Sequence, residues 1–362
     1  MRYPKQPLTI DEQLDKLVAR GLTIRDRNKA HQVLSRINYY RLSAYYLPFQ
    51  KDKKQHIFHP GASFERIARL YEFDKALRNI VLPPVEAAEV LARTRITYYL
   101  VMKYKDPFCY LNRNLYSKKF LGEQIAREDL ERFLPEGAVL SIWTLLVDKG
   151  YLDHKGNIKR RILDARDLEG KEPGVFQEVQ NLFQTSTFDI WMKRMDESIK
   201  ESKEEFVRHY LNTYYDDSPG FPLWITSEII SFGQLSKLYA GLNSDDRTAI
   251  AEQYGLSHRV FGQWLHAIIY LRNMCAHHSR LWNRVLEIRP VCPRELPEKE
   301  FWSDRMFSML LALKYLTPAS FNWFRVVLRL QWLFLNNRFV NIQAMGIPHG
   351  WQGVLSGNFN KR

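Results

Sequence analysis

The chain has 362 residues, 45% of them hydrophobic, enough to bury a sizeable core without cross-links. Three widely spaced cysteines, Cys109, Cys275 and Cys292, exclude a disulfide framework and a Cys-rich zinc site. A formal net charge of +13 with 14% aromatic residues points to RNA or another polyanion, because cations displace phosphate counterions and rings stack on unpaired bases; a cationic surface kept for solubility, or drawn to anionic lipid, is the plainer alternative.

Helical periodicity begins at once. Thr9 followed by Glu12 forms a capping-box signature, and Ile10, Leu14, Leu17 and Val18 fall on one stripe that Gly21 ends. The segment AHQVLSRINYYRLSAYYLPF predicts one helix, with Val33, Leu34, Ile37, Tyr40 and Tyr45 on a shared face, Arg36 and Arg41 flanking it, and Pro48 stopping it. Its tyrosines, Tyr39, Tyr40, Tyr45 and Tyr46, read as core before they read as an RNA platform. KDKKQHIFHPG reads as a basic turn or short hairpin, and the segment from Ser63 to Tyr104 as two long helices divided at Pro83 and Pro84. From Pro135 the texture changes to Gly-rich turns, short apolar runs and the cluster Lys159, Arg160, Arg161, which predicts a small mixed helix-turn-strand insertion with a basic rim.

Helical pattern resumes near Phe176, breaks at SPGFP and restarts in LWITSEIISFGQLSKLYAGL. Asp245 and Asp246 are placed to cap the next helix, and after Ser257 a longer one runs through Val260, Trp264, Ile268 and Leu271. Pro290, Pro293 and Pro297 mark a loop before two more helices. The class is all-α, organised as a helical element over 1–60, core over 61–134, the basic insertion over 135–184, core over 185–345 and a tail over 346–362. No apolar leader and no uncharged run of roughly 18 residues occurs, which predicts a cytoplasmic protein without a membrane partner.

The densest chemistry lies in RNMCAHHSRLWNR, residues 272–284, where Arg, Asn and His crowd together without a carboxylate. Adjacent His277 and His278 would diverge by about 100° on a helix and do not suit one metal ion. Cys275 stands two residues from His277, on another helical face, and no nucleophile elbow or phosphate-binding Gly loop occurs, so no metal and no cofactor is expected.

What imidazole and guanidinium can do alone is cleave RNA, whose ribose 2′-OH is a built-in nucleophile: a His moves the proton and an Arg binds the phosphate. Arg272 and His277 are separated by about 140° around an ideal helix, so they converge only through a kink or with a second copy of the chain, as an isologous homodimer would supply. An Arg followed after four to six residues by a His is an unselective pattern, since Arg25 with His31 and Arg259 with His266 also fit it. Arg280 and Arg284 fall on one side of a continuing helix, as phosphate-binding support or surface ion pairs, with Asn283 between them. Trp282 reads as core or interface. Glu228 is the one carboxylate in SEIISFG, suited to pair with Arg272, to orient His277, or to meet some other Arg. Arg36, Arg41, Arg93 and Arg95 are RNA-contact candidates.

The full string from Arg272 to Arg284 resembles the signature of the Abi-like abortive-infection proteins of the AbiD/AbiF type, a bacterial phage-defence family assigned to the HEPN superfamily. INYYRLSAYYLPF, FERIARLYEFDKALRNIV, FVRHY, FPLWITSEIISFGQLSKLY and MGIPHGW are similar to further blocks of that family. The resemblance implies a HEPN-like helical bundle with additional N-terminal helices, and Arg272 and His277 as a metal-independent catalytic pair completed by dimerisation. It places Asn273 at the polar position after the Arg and offers His278 as an alternative base. It further implies a toxin-like endoribonuclease associated with a structured noncoding RNA, and a link shorter than residues 135–184. A catalytically silent module that holds a noncoding RNA is the competing reading.

Overall fold

A computed structural model describes residues 6–168, 174–184, 186–293 and 302–357. Among them are sixteen α-helices and one two-stranded antiparallel sheet, so the fold is all-α. The chain forms two compact units, one from the described residues up to 87 with those from 270 onward, the other from 88–269.

Helix α1 (Ile10–Ala19) starts at the expected capping box: the Thr9 N–H donates to Glu12 Oε2 at 2.7 Å and the Glu12 N–H to Thr9 Oγ1 at 3.3 Å. Leu14 and Leu17 are buried, whereas Val18 is half exposed, and Gly21 turns the chain at φ +86°. The single helix expected next is two, α2 (Arg27–Arg36) and α3 (Tyr39–Ser43). Asn38 divides them, its side-chain oxygen taking the Tyr40 N–H at 2.7 Å and starting a new helix instead of continuing the old one. The tyrosine stripe is thereby split: Tyr45 and Tyr46 are buried, while Tyr40 is 85% exposed. The basic turn is a hairpin of β1 (Gln50–Asp52) and β2 (Ile57–Phe58), closed by Asp52 accepting the Lys54 and Gln55 N–H groups.

The two helices expected around Pro83 and Pro84 are one, α4 (Phe64–Tyr104). Each proline deletes an amide donor and costs about 3 kcal/mol in a helix interior. Buried residues at helical spacing on both sides, Leu77, Ile80 and Val81 before and Val85, Ala88 and Ala92 after, hold the helix through the gap.

In the second unit, α5 (Arg127–Leu130), α6 (Glu136–Asp148) and α7 (Val175–Gln184) close around their own apolar cluster, including Leu130, Ile142, Leu146, Tyr151, Val179 and Phe183. The strand character expected here is reduced to isolated bridges, Gln124 with Asn157 and Leu152 with Ile158. Gly156 sits where a β-carbon would come within 2.1 Å of the Ile125 carbonyl oxygen, so this crossing needs glycine. Gly170 and Pro173 of the same segment, and Pro297 of the later loop, lie outside the described residues.

The helical pattern expected through residue 215 is interrupted, as α8 (Thr187–Glu201) and α9 (Glu205–Thr213). Ser231 and Gln234 form a capping box that separates α10 (Leu223–Ile229) from α11 (Phe232–Gly241). Asn243, and not Asp245 or Asp246, caps α12 (Ser244–Glu252), because its amide oxygen reaches the Asp246 N–H at 2.9 Å. That releases the fully buried Asp246 carboxylate to gather Lys103 Nζ at 2.5 Å, Tyr104 Oη at 2.7 Å and Tyr99 Oη at 3.1 Å. Helix α13 (His258–Ala276) ends in the motif. After it come α14 (Met306–Leu316), buried along its whole length, then α15 (Trp323–Asn336) and α16 (Trp351–Ser356). The buried Lys314 ammonium donates to the Val354 and Gly357 carbonyls, which close α16.

Burial alone would raise the Asp246 carboxyl, but the hydrogen bonds from Lys103, Tyr104 and Tyr99 outweigh it and hold the group below its ordinary value. A lowered folded-state value means stabilisation present above about pH 4 and lost as the pH falls through that value. Denaturant midpoints should therefore drop on acidification in the wild type. Asp246→Asn should be less stable at neutral pH and show a smaller acid drop; equal acid slopes would contradict the assignment.

Candidate nucleic-acid site at the end of the motif helix

Arg272 and Asn273 lie in the last turn of α13, and both are exposed. The helix ends at Ala276, and its closing bonds run from the His278 N–H to the Cys275 carbonyl at 3.1 Å and from the Ser279 N–H to the Met274 carbonyl at 2.8 Å. This is the Schellman pattern, with His278 in the left-handed position usually given to glycine, at φ +55°. His277 is thus the last residue before the reversal, exposed at the helix terminus. The terminus also presents the negative end of the helix dipole, which favours cations such as Arg272 there.

Arg280 and Arg284 were expected on a continuing helix; the cap at His278 removes that helix, and the chain beyond it is irregular. Arg280 instead reaches back to the Ala44 carbonyl at 2.5 Å, and Arg284 lies over the Tyr270 ring at 5.9 Å with Glu287 3.9 Å away. Asn283 adopts φ +51° and accepts a long bond from Arg305. Trp282 is buried, as its core reading required, with Nε1 donating to the Asn341 carbonyl at 2.9 Å.

The segment after the cap is fixed by a residue that sequence reasoning missed. Asp74 of α4 is fully buried and accepts the Trp282 N–H at 2.6 Å, the Leu281 N–H at 3.1 Å, Tyr45 Oη at 2.8 Å and Arg78 Nη1 at 2.5 Å. Burial raises this carboxyl from its ordinary value, and the donors act in the opposite direction. The same Arg78 nitrogen donates to the Ser279 carbonyl at 3.1 Å, and Arg41 of α3 donates to the His278 carbonyl at 3.0 Å. From 278 to 282 the His278 and Ser279 N–H groups are thus bonded in the cap, the His278 and Ser279 carbonyls to Arg41 and Arg78, and the Leu281 and Trp282 N–H groups to Asp74. A signal existed: Asp74 and Arg78 fall at i and i+4 on the apolar stripe of Leu70, Leu77 and Val81.

Among the described residues Arg272 has one side-chain partner, Asn273 Oδ1 at 3.4 Å. Glu228 lies in the second unit, exposed, lining a cavity of about 410 Å³ with Arg93, Tyr98 and Trp224, and makes no hydrogen bond or ion pair among the described residues. Arg93 is engaged internally, with the Ser227 and Ile230 carbonyls at the end of α10 and with Glu89 at 2.6 Å. Arg95 donates to the Gln253 carbonyl at 2.7 Å and lies 4.3 Å from the centre of the Tyr254 ring. Arg36 is exposed with no such partner among the described residues. In the basic cluster, Lys159 meets Asp153 at 3.5 Å, Arg160 stacks on Tyr151 and Arg161 donates to the Phe183 carbonyl. Cys275 is buried, and burial pushes its thiol up to about 12, which suits a small hydrophobe and not a nucleophile.

A family pattern described as Abi-like protein matches residues 32–145 and 151–283, more than half of the chain and nearly all of the motif string. The chain belongs to the Abi-like family. Membership suggests a part in abortive infection, a phage defence. The match takes in most of residues 135–184. No curated protein and no solved structure matches the chain, and no helix among the described residues is long and apolar enough to cross a membrane.

Asp74→Ala leaves Arg78 without its buried counter-charge and orphans two amides, which should cost about 3–5 kcal/mol of stability. Denaturant unfolding checks this, and a loss within 1 kcal/mol, roughly the scale of a surface change, would contradict the hub. His278→Gly relieves the left-handed strain and should stabilise by up to about 1 kcal/mol. A destabilised His278→Gly would contradict the cap.

Proposed function

We propose that this Abi-like protein is a HEPN-type endoribonuclease of phage defence that cleaves RNA without a metal. The observation that carries the reading is the carboxylate-free terminus of α13, where Arg272 and His277 are both exposed to solvent while the backbone behind them is held by Asp74, Arg78 and Arg41. In the reaction, the ribose 2′-oxygen attacks the adjacent phosphorus and the 5′-oxygen of the next nucleotide leaves. His277 moves the proton and Arg272 binds the non-bridging oxygens as their charge grows. Asn273 orients the Arg272 guanidinium, and His278 sets the turn.

A second copy of the chain completes the site in this reading. Support comes from α15, whose exposed side carries Phe324, Leu328, Trp332 and Leu335, exposed at 60%, 47%, 69% and 62%, at helical spacing alongside Arg325 and Arg329. Leu328, Trp332 and Leu335 line a groove of about 610 Å³ that reaches to Ala76 and Ile80 of α4, and in this reading a two-fold mate packs there. The +13 charge supports a bound RNA, with Arg36 and the 159–161 cluster as its contacts, and from the family resemblance we infer that a structured noncoding RNA restrains the enzyme.

Arg272→Ala and His277→Ala should each lower cleavage of single-stranded RNA by about 10²-fold or more, and wild-type cleavage should persist in EDTA. Equal RNA binding with no cleavage by any of the three would leave the silent RNA-binding module standing in its place. Trp332→Glu should convert dimer to monomer in sedimentation and lower cleavage; an unchanged sedimentation profile would contradict the α15 interface.

A further inference from the structure

The first unit contains a cavity of about 390 Å³ that the Arg–His reading does not use. Its walls bring together two phenylalanines, Phe49 and Phe339, two cationic or basic groups, Arg66 and His59, and two amides, Asn283 and Asn341. Arg66 stands between the rings, its guanidinium carbon 5.8 Å from the centre of Phe49 and 5.9 Å from that of Phe339, and Arg69 lies 4.7 Å from Phe339. No carboxylate lines the cavity, and Arg66 makes no ion pair among the described residues. The positive charge is therefore left for a ligand, and the ligand it favours is an anion with an aromatic part.

The amides sharpen the class. Asn341 Oδ1 accepts the Gln343 N–H at 3.0 Å and Asn283 Oδ1 faces Arg305 at 3.5 Å, so in each the oxygen is turned to the protein and the NH₂ has no partner among the described residues. Donors without acceptors suit the carbonyl and ring-nitrogen edge of a nucleobase. The wall is also fixed: Trp282 ties to the Asn341 carbonyl, and Asp74 ties Trp282 to α4, so the cavity is continuous with the end of the motif string. Ring faces with a guanidinium between them and free amide donors at the rim are the means by which unpaired bases are held.

We propose that this cavity binds one unpaired nucleotide, its base stacked on Phe339 and Phe49 and read by Asn283 and Asn341, its phosphate on Arg66 and His59. The proposal rests on the RNA reading for the source of that nucleotide, a flipped base of a bound strand; a free mononucleotide would offer the same chemistry. Occupied this way, the cavity anchors the strand beside residues 282–283 and sets which linkage lies near the helix terminus.

The test uses the full-length protein with three probes: a fluorescein-labelled single-stranded RNA ten nucleotides long, AMP alone, and inorganic phosphate alone. Phe339→Ala and Arg66→Ala should each weaken RNA binding roughly tenfold, with phosphate alone failing to compete. The same RNA carrying one 4-thiouridine should cross-link to peptides containing Phe49, Trp282 or Phe339. Arg66 is exposed, so its variant reports on binding even where Phe339→Ala disturbs the fold. Saturable AMP binding that both variants lose, with no RNA bound, would retain the nucleotide site and overturn its RNA source. RNA bound equally by wild type and both variants, with cross-links elsewhere, would overturn the pocket and leave the RNA reading intact. Binding of neither the RNA nor AMP would overturn the site.

Discussion

One buried carboxylate sets the shape of the motif region. Asp74 is surrounded by a phenol, a guanidinium and two backbone amides, and it is these amides, at Leu281 and Trp282, that fix where the chain goes after α13 stops. A carboxylate taken out of water must find such donors or cost several kcal/mol. The requirement works both ways: Asp74 needs the loop, and the loop, having lost its helix, needs acceptors for its amides. The exposed Arg272 and His277 are thus presented at the edge of a rigid hub without being part of it.

The helix cap is the other half of that arrangement. A left-handed His278 costs about 1 kcal/mol over glycine, and strain of this kind persists only where neighbours over-determine it. Arg41 on its carbonyl and Arg78 on the next carbonyl supply that determination. Arg41 and Arg280, which sequence alone would assign to RNA or to surface pairs, hold backbone oxygens instead, as does the buried Arg78. Part of the positive charge therefore serves the fold, whereas Arg66 and Arg36 make no ion pair among the described residues.

The all-α class, the capping box at Thr9, the hairpin after Pro48 and the run of α13 into the motif were legible because each follows from local pattern. The errors share a cause. Asn38 and Ser231 break runs whose hydrophobic period continues across them, since a side-chain oxygen that captures one amide decides a boundary that periodicity cannot see. Pro83 and Pro84 fail to break α4 because packing on either side outweighs two lost donors. Arg280 and Arg284 left their expected helix for a single φ of opposite sign at His278. Asp74 was legible only as a charged residue on an apolar stripe, a sign of a buried pair that does not name its distant partners. Arg93 and Arg95 show the converse limit: a cation's composition signal is the same whether it meets phosphate or a helix's last carbonyls.

The chemistry assigned to Arg272 and His277 has a signature in its products. End-group analysis by mass spectrometry of RNA cut by the purified protein reads that signature directly. Attack by the ribose hydroxyl predicts a 2′,3′-cyclic phosphate on one fragment and a 5′-hydroxyl on the other, formed by the wild type and missing with His277→Ala. Fragments bearing a 3′-hydroxyl and a 5′-phosphate would mean that water was the nucleophile and would contradict the account.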